Sequence, residues 1–513
     1  MGIGVRHKVV QGFVACLACA AIAVAVWHLL AARGGLVRET VSISGVPATV
    51  FRPADGKPAA VVVIAHGFAG SQQLMESFAT TLARNGYVAV TFDSAGHGRN
   101  PKPLTGSVTE ARGATRTLVD ELAAVAAHAR GLGDGRLAVL GHSMASDIIV
   151  RFAASQPDVA ATIAVSMFSP VVTATQPRNL LVIVGDWEGM LKTEALRVVG
   201  LVSAPLAAQP GVTYGDPAAG TARRAAFSPG VEHVAVLYSR DSLREAVTWL
   251  DAVFAVSRPT GPQVDGRGPW ILLLLAGVVL LAWPLSALLP VVTPVPAGAG
   301  LSGTRLWVAI LLPALATPLL LRVLPTHFLP VVVGDYLASH FAMYGGLTAA
   351  CLAWAGRGRP PRPAAPVSLP ALAIATVAAV AYGFVAIAWP IDSFVTSFVA
   401  GPGRLLLAAA MMVGTLAFFL ADEWLTRGTG TPRLAYAASK LAFVVSLALA
   451  VSLDFGRLFF LIIIVPVIVL FLLVYGLFSG WAYRRTGHPF VGGIANAVAF
   501  AWAIAVTFPL LAG

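Results

Sequence analysis

The hydrophobic positions divide the chain into two parts of different character. Between about residues 34 and 258, short apolar runs alternate with amphipathic stretches of helical period, as in a soluble domain. From residue 269 onward, apolar runs of about twenty residues follow one another with short polar connections, and each is long enough to cross a bilayer as a helix. A first apolar run, Val9 to Ala32, has similar length and follows Arg6 and Lys8, which favours an uncleaved membrane anchor over a signal peptide.

Strands and helices are predicted to alternate within the soluble part. Arg38–Ser44 and Pro47–Arg52 read as an antiparallel hairpin at a sheet edge, whereas the continuous apolar run Val61–Ala65 is typical of a strand buried on both faces of a parallel sheet. The further predicted elements are a helix to Arg84, strand Tyr87–Phe92, helix 108–130, strand 136–140, helix 145–155, strands 159–165, 180–184 and 222–228, and helix 240–255. This alternation predicts a doubly wound α/β domain with a mostly parallel sheet.

The apolar runs of the second part predict an all-α transmembrane bundle. The eight predicted spans lie near 269–291, 306–325, 335–356, 367–389, 404–424, 434–452, 458–479 and 491–511. The predicted domains are an anchor at 1–33, the α/β domain at 34–258, a linker at 259–268 and the membrane domain at 269–513.

Arginines in alternate loops predict the orientation of these spans. If Arg6 and Lys8 hold the N-terminus in the cytoplasm, every second loop should also be cytoplasmic and basic. The arginines of those loops are Arg305, Arg357, Arg359, Arg362, Arg427, Arg433, Arg484 and Arg485. We therefore expect an integral protein of a bacterial cell membrane with the α/β domain on the extracytoplasmic side. Lys440 lies near the cytoplasmic end of its predicted span, on the same side of the membrane as Asp422 and Glu423. We interpret it as a lysine whose side chain snorkels to the membrane interface.

Composition supports a membrane protein and excludes several function classes. Hydrophobic residues make up 57% of the chain and charged residues only 12%. The net charge of +11 does not indicate nucleic-acid binding, because no basic stripe with interleaved aromatic residues is present and loop arginines explain the excess. The three cysteines, Cys16, Cys19 and Cys351, all lie in apolar runs, so no thiol chemistry is expected of the α/β domain. We expect no metal ion and no cofactor.

The segment Gly141-His142-Ser143-Met144-Ala145 lies between a predicted strand and a predicted helix. Small residues two positions before and after a serine allow the backbone to turn sharply around it and expose its hydroxyl. Two further segments follow earlier strands: His66-Gly67-Phe68 and Phe92-Asp93-Ser94-Ala95-Gly96-His97-Gly98. In their order and spacing, the three segments resemble the α/β-hydrolase superfamily over about two-fifths of the chain.

This resemblance implies a nucleophile, an acid and a histidine. Ser143 is the candidate nucleophile, and His233, just after the last predicted strand, is the candidate base. The acid should follow the strand 180–184, where both Asp186 and Glu188 stand; we favour Glu188, and the assignment stays open. Backbone N–H groups of Phe68 and Met144 would form the oxyanion hole. The predicted catalytic residues are therefore Ser143, His233, Glu188 and Asp186, and the predicted oxyanion-hole residues are Phe68 and Met144.

The sequence thus predicts a membrane-anchored serine hydrolase that cleaves an acyl ester or thioester, with an acyl ester or lipid-like molecule as substrate. One alternative is a transporter or lipid-handling protein in which the hydrolase-like domain is regulatory. Another is an acyltransferase that uses the same catalytic residues. The pattern of residues does not predict the substrate's identity, the oligomeric state or the role of the membrane half.

Overall fold

A computed structural model describes residues 2–57, 59–106, 113–357 and 366–512. The chain forms two compact units. One unit contains the three segments that resemble α/β-hydrolases and is called the hydrolase unit after that resemblance; it comprises Ala23–Leu274, Ile391–Phe398 and Pro509–Gly513. The other, the helical unit, comprises Met1–Ile22, Leu275–Pro390 and Val399–Phe508.

A nine-stranded sheet forms the centre of the hydrolase unit. Its strands are β1 (Leu36–Ile43), β2 (Val46–Pro53), β3 (Val61–Ala65), β4 (Val88–Phe92), β5 (Leu137–His142), β6 (Val159–Val165), β7 (Leu180–Gly185), β8 (Thr213–Tyr214) and β9 (Arg223–Ser228). In space they follow the order β1-β2-β4-β3-β5-β6-β7-β9-β8. The neighbours from β4 to β9 are parallel, and the hairpin β1–β2 and the short β8 add antiparallel edges.

Helices cover both faces of this sheet. They are α2 (Glu76–Arg84), α3 (Ala114–Ala129), α4 (Met144–Ser155), α5 (Gly189–Ser203) and α6 (Arg240–Phe254), numbered after the N-terminal helix α1 (Gly2–Ala31). Successive side chains of β3 enter opposite cores, because Val61 and Val63 pack on one face and Val62 and Ile64 on the other. Burial on both faces explains the continuous apolar run of this strand.

The predicted doubly wound sheet is therefore confirmed, with differences at its edges. Residues 107–112, the start of the helix predicted at 108–130, lie outside the described residues; the described helix begins at Ala114 and ends at Ala129. The two-residue strand β8 was not predicted, because it is too short to show a period.

Two short segments from the C-terminal half of the chain belong to the hydrolase unit. In the first, the backbone N–H of Ser397 donates to Ser71 Oγ over 2.8 Å, and Asp392 pairs with Arg99 at 2.7 Å. In the second, the backbone of Leu510 exchanges hydrogen bonds with the backbones of Gly96 and Leu104. The loops that follow β3 and β4 are thus held by residues far away in sequence.

The helical unit consists of long apolar helices. They are α7 (Arg267–Ser286), α8 (Gly303–Leu321), α9 (Gly334–Gly356), α10 (Leu369–Tyr382), α11 (Trp389–Phe394), α12 (Pro402–Leu425), α13 (Ala435–Leu453), α14 (Phe455–Leu458), α15 (Phe460–Thr486) and α16 (Phe490–Thr507). A π-helical segment, Gly383–Ala388, joins α10 to α11. The first residues of α7 and the last residues of α1 belong to the hydrolase unit.

Eight helices in the described part of the chain are long and apolar enough to cross a membrane. They are the N-terminal helix and seven of the eight predicted spans, which indicates a membrane protein. The exception is α9, whose 23 residues include Asp335 and His340 and are less apolar. Most of the α9 face that contains His340 is buried by neighbouring helices, so a less apolar sequence is tolerated there.

Small residues bring α9 and α12 close together. A Cβ atom added to Gly345 would lie 2.3 Å from the backbone of Ala417, and one added to Gly414 would lie 2.4 Å from the carbonyl oxygen of Ala338. Such contacts between backbones are typical of helices that associate within a bilayer, where packing rather than the hydrophobic effect drives association.

The charged residues near the ends of α12 and α13 are buried. Lys440 is 8% exposed and forms an ion pair with Asp422, so its interpretation as a snorkelling lysine was wrong. Glu423, fully buried, pairs with Arg427 at 3.1 Å. Each buried carboxylate is therefore matched by a cation, which offsets the cost of removing the charges from water.

Candidate active site

Ser143 lies on a sharp turn between β5 and α4, at the carboxyl ends of the parallel strands. Its backbone has a positive φ of 53°, a conformation that side chains other than glycine rarely adopt. The turn requires Gly141, because a Cβ atom there would lie 2.6 Å from the carbonyl oxygen of Ala145. The backbone N–H of Ser143 donates to Val165 at the end of β6, which helps to hold the strained turn.

His233 connects Ser143 to Glu188 through two short hydrogen bonds. The Ser143 hydroxyl lies 2.8 Å from His233 Nε2, and His233 Nδ1 lies 2.6 Å from Glu188 Oε1. A carboxylate only accepts, so Nδ1 carries the proton and Nε2 is left to accept from the hydroxyl. This is the tautomer that a general base for Ser143 requires.

Asp186 lies apart from this chain of hydrogen bonds. Its carboxylate is half exposed and forms an ion pair with Lys192 at 2.8 Å. Glu188, in contrast, is 6% exposed and points towards His233. Of the two carboxylates predicted as the acid, the structure brings only Glu188 into contact with the histidine.

Two further groups hold the Glu188 carboxylate. Ser166 donates its hydroxyl to Oε2 over 2.8 Å, and the backbone N–H of Gly185 donates to the same oxygen over 2.7 Å. Burial raises the pKa of the Glu188 carboxyl, but the hydrogen bonds it accepts outweigh burial and hold the pKa below its ordinary value. Glu188 is therefore ionised at neutral pH and fixed in its orientation.

The loop after β3 lies directly against the nucleophile. A Cβ atom added to Gly67 would lie 3.0 Å from Ser143 Cβ, so the loop that carries Phe68 is next to the serine. Met144 is the first residue of α4, where backbone N–H groups have no acceptor within the helix. The two predicted oxyanion donors thus stand on the two backbone segments that meet at Ser143.

His142 and Ser166 are two residues of the site whose roles sequence reasoning missed. His142 is 3% exposed, and its Nε2 donates to the backbone carbonyl of His233 over 2.9 Å. It therefore helps to position the loop that holds the base. In the sequence, Ser166 stands out only as a hydroxyl residue directly after β6, and His142 only as a polar residue beside Ser143. Neither position by itself shows where the side chain points.

Buried histidines should make the hydrolase unit less stable in acid. Burial lowers the pKa of His142 to about 3, with His233 adding to the effect. Because the unfolded chain then binds a proton between about pH 6.5 and 3 and the folded one does not, stability falls as the pH falls through this range. From the pKa difference we expect a loss of about 3 kcal/mol between pH 6.5 and 4 from this residue.

This prediction can be checked by the thermal unfolding of the detergent-solubilised full chain between pH 7.5 and 4.5. His142→Gln keeps a donor for the carbonyl of His233 and removes the titration, so its unfolding temperature should depend less on pH. His128→Gln, at an exposed position on α3, is the control and should behave like the parent. Equal pH dependence in all three proteins would contradict the prediction.

Four exposed apolar side chains lie close in sequence to residues of the site. Phe168 is 61% exposed and follows Ser166 by two residues; Trp187 is 71% exposed and directly precedes Glu188. Met190, in the first turn of α5, is 79% exposed, and Val234, beside His233, is 44% exposed. We call these four residues the apolar rim. Exposed apolar side chains near polar catalytic groups are typical of a site that binds an apolar ligand.

Among the residues that the structure describes, no group of three or more histidine, cysteine, aspartate or glutamate side chains could hold a metal ion.

The sequence of the hydrolase unit matches a known family. Residues 56–203 match the family described as serine aminopeptidase, S33. This segment contains β3 to β7 with the Ser143 turn and Glu188, and ends before His233. No curated protein matches the chain.

Several solved structures are similar to the chain at low sequence identity. TT1662 from Thermus thermophilus is 16% identical over 44% of this chain and 99% of its own, with a TM-score of 0.32. A CIB-like hydrolase from Thermoplasma acidophilum is 15% identical over 42% and 97%, with a TM-score of 0.33. A bacterial membrane phospholipase A is 17% identical over 49% and 96%, with a TM-score of 0.32.

Identities this low say nothing about the substrate. The matched family, together with the parallel sheet and the sharp turn after β5, identifies the chain as a protein with an α/β-hydrolase domain, joined to apolar helices that fit a membrane domain.

Proposed function

We propose that this protein is a membrane-anchored serine hydrolase that cleaves acyl esters or thioesters. The observation that carries the proposal is the continuous hydrogen-bond chain from Ser143 through His233 to Glu188. A serine hydroxyl is too weakly acidic to react unaided near neutral pH, and a base within hydrogen-bond reach is what makes it a nucleophile.

In the first half of the reaction, Ser143 Oγ attacks the acyl carbonyl while its proton moves to His233 Nε2. The Glu188 carboxylate stabilises the resulting imidazolium through Nδ1. The carbonyl oxygen becomes an oxyanion, which accepts hydrogen bonds from the N–H groups of Phe68 and Met144. His233 then gives its proton to the leaving alcohol or thiol, and an acyl-enzyme on Ser143 remains.

In the second half, His233 takes a proton from water, and the hydroxide attacks the acyl-enzyme carbonyl. The same oxyanion donors stabilise this second tetrahedral intermediate. Return of the proton from His233 to Ser143 Oγ releases the carboxylic acid and restores the enzyme.

The apolar rim favours a substrate with a hydrocarbon acyl chain. Exposing four large apolar side chains to water is unfavourable, and a bound acyl chain would cover them. The connection between the end of α1 at Ala31 and the start of β1 at Leu36 is only a few residues long, so the hydrolase unit cannot move far from the bilayer. Both features fit an acyl lipid as substrate.

The loop arginines support an extracytoplasmic position of the hydrolase unit. An N-terminus held inside by Arg6 and Lys8 puts the chain beyond the first span on the outer side. Arg359 and Arg362, two arginines of the pattern, lie outside the described residues, so this part of the proposal rests on the sequence alone.

Labelling with a membrane-impermeant fluorophosphonate tests the activated serine and the orientation together. Intact cells that express the full chain should be labelled, and Ser143→Ala should abolish the labelling, because fluorophosphonates react with activated serines. Ser155→Ala, an exposed serine later on α4, is the matched control and should label like the parent.

Each other outcome contradicts a defined part of the proposal. Labelling that appears only after the membranes are opened would overturn the extracytoplasmic orientation. No labelling in opened membranes would overturn the serine hydrolase and favour a transporter with a hydrolase-like regulatory domain. If the labelled enzyme transfers acyl groups to an added alcohol faster than to water, the protein is an acyltransferase.

A further inference from the structure

An apolar cavity of about 300 Å³ lies within the helical unit, outside any residue of the candidate active site. Its walls come from the end of α7 and the turn that follows it, the second half of α10, the later part of α15 and the start of α16. Most of the lining is hydrocarbon, including Leu285, Ala378 and Phe478. A volume of this size is at the lower end of the range for small-molecule sites.

One side of the cavity is open. Leu288 and Ile374 line it and are 79% and 61% exposed, which is unfavourable in water and favourable against lipid hydrocarbon. Ile374 lies on α10 and Leu288 in the turn just after α7, and both helices are apolar enough to cross a bilayer. An apolar molecule can therefore enter from the bilayer without passing through water.

A polar group lines the wall of this apolar cavity. Asn496 is 2% exposed and lines the cavity, and no described residue forms a hydrogen bond with its side-chain amide. A buried amide without a partner costs free energy, and more so in a membrane, where water is not available to compensate. The amide offers two donors and one acceptor. It indicates a ligand with a hydrogen-bonding group at this end of the cavity.

Ser479 lies beside Asn496 on the same wall and connects the cavity to buried charges. A Cβ atom on Gly492, one helical turn before Asn496, would lie 2.3 Å from Ser479 Oγ. Ser479 donates to Glu423 over 2.6 Å and accepts from Arg427 over 3.1 Å. Because Glu423 and Arg427 neutralise each other, the wall presents hydrogen-bonding groups without net charge.

We propose that this cavity binds an uncharged acyl lipid of the glyceride type, with its hydroxyl or ester oxygens at Asn496 and its acyl chain between α7 and α10. A charged head group would lack a counter-ion, since the nearby carboxylate and guanidinium are already paired with each other. This site goes beyond the proposed hydrolase function and does not depend on it. It assigns a lipid-binding role to the membrane half, which then does more than anchor the hydrolase unit.

Photocrosslinking tests the proposal with the full chain in phosphatidylcholine vesicles. The probe is a diacylglycerol with a diazirine in one acyl chain, and the crosslinked peptides are identified by mass spectrometry. In the parent protein we expect crosslinks on α7, α10, α15 or α16 at cavity-lining positions. Asn496→Leu removes the hydrogen bonds at similar volume and should lower this crosslinking at least fivefold.

A second variant and two controls keep the result interpretable. Ala378→Phe places a large side chain from α10 in the cavity and should also reduce crosslinking. This expectation does not depend on how the new side chain of Asn496→Leu packs. Val413→Phe, on the exposed side of α12, should have no effect. A phosphatidic acid probe with the same acyl chains should crosslink these positions several-fold less.

Three outcomes would overturn the proposal. Equal crosslinking in all variants would mean that lipids only surround the helices. No crosslinking at the cavity in the parent would mean that water fills it. Equal crosslinking by phosphatidic acid, with the same dependence on Asn496, would exclude an uncharged head group as the preferred ligand.

Discussion

Ser143→Ala should lower kcat for ester hydrolysis by about 10⁵-fold or more, and His233→Ala should lower it by a similar factor. The hydroxyl and the imidazole act as one unit, because the 2.8 Å hydrogen bond between them is the path by which the proton leaves the nucleophile. Without either residue, only the oxyanion donors and substrate binding remain to accelerate the reaction.

The double variant Ser143→Ala/His233→Ala tests this interdependence. Its kcat should be no lower than that of either single variant, since each one already removes the nucleophilic pathway. A medium-chain aryl ester is a suitable substrate, with Ser155→Ala as the control for expression and folding. If the two single losses multiplied in the double variant, Ser143 and His233 would act independently and the proposed mechanism would be wrong.

Glu188→Gln should lower kcat by about 10⁴-fold, whereas Asp186→Asn should change it less than about threefold. The amide of a glutamine can donate to Nδ1 and thereby stabilise the tautomer in which Nε2 carries the proton and cannot accept it from Ser143. Asp186 is half exposed and bonded to Lys192, so the loss of its charge affects a surface ion pair worth at most about 1 kcal/mol.

Steady-state kinetics on both variants separate these roles. The effect of Glu188→Gln should be in kcat, with KM changed little, because Glu188 acts through His233 and does not touch the substrate. Fluorophosphonate labelling should slow in parallel. A large loss in Asp186→Asn with a mild one in Glu188→Gln would show that the acid is Asp186 and that the loop rearranges around the histidine.

Much of the fold could be predicted from the sequence, because it depends on local patterns. The continuous apolar run at β3 predicts a strand buried on both faces, and every residue of β3 is buried. Apolar runs of about twenty residues predict membrane-crossing helices by length alone. The edge strand β8 has only two residues and depends on its pairing with β9, so local patterns did not predict it.

The sequence by itself determined the positions of the candidate nucleophile and base relative to the strands. Only the tertiary structure decided which carboxylate contacts the histidine, because Asp186 and Glu188 lie on one loop and the direction of each side chain depends on the partners that the folded chain places next to it. Ser166 and Lys192 select between them: one holds the Glu188 carboxylate and the other pairs with Asp186. The burial of Lys440 against Asp422 and the position of Asn496 in the cavity wall likewise depend on how the helices pack, which no local pattern predicts. The local periodicity of apolar residues predicts the helices and strands, whereas the pairing of side chains is determined only when these elements pack together.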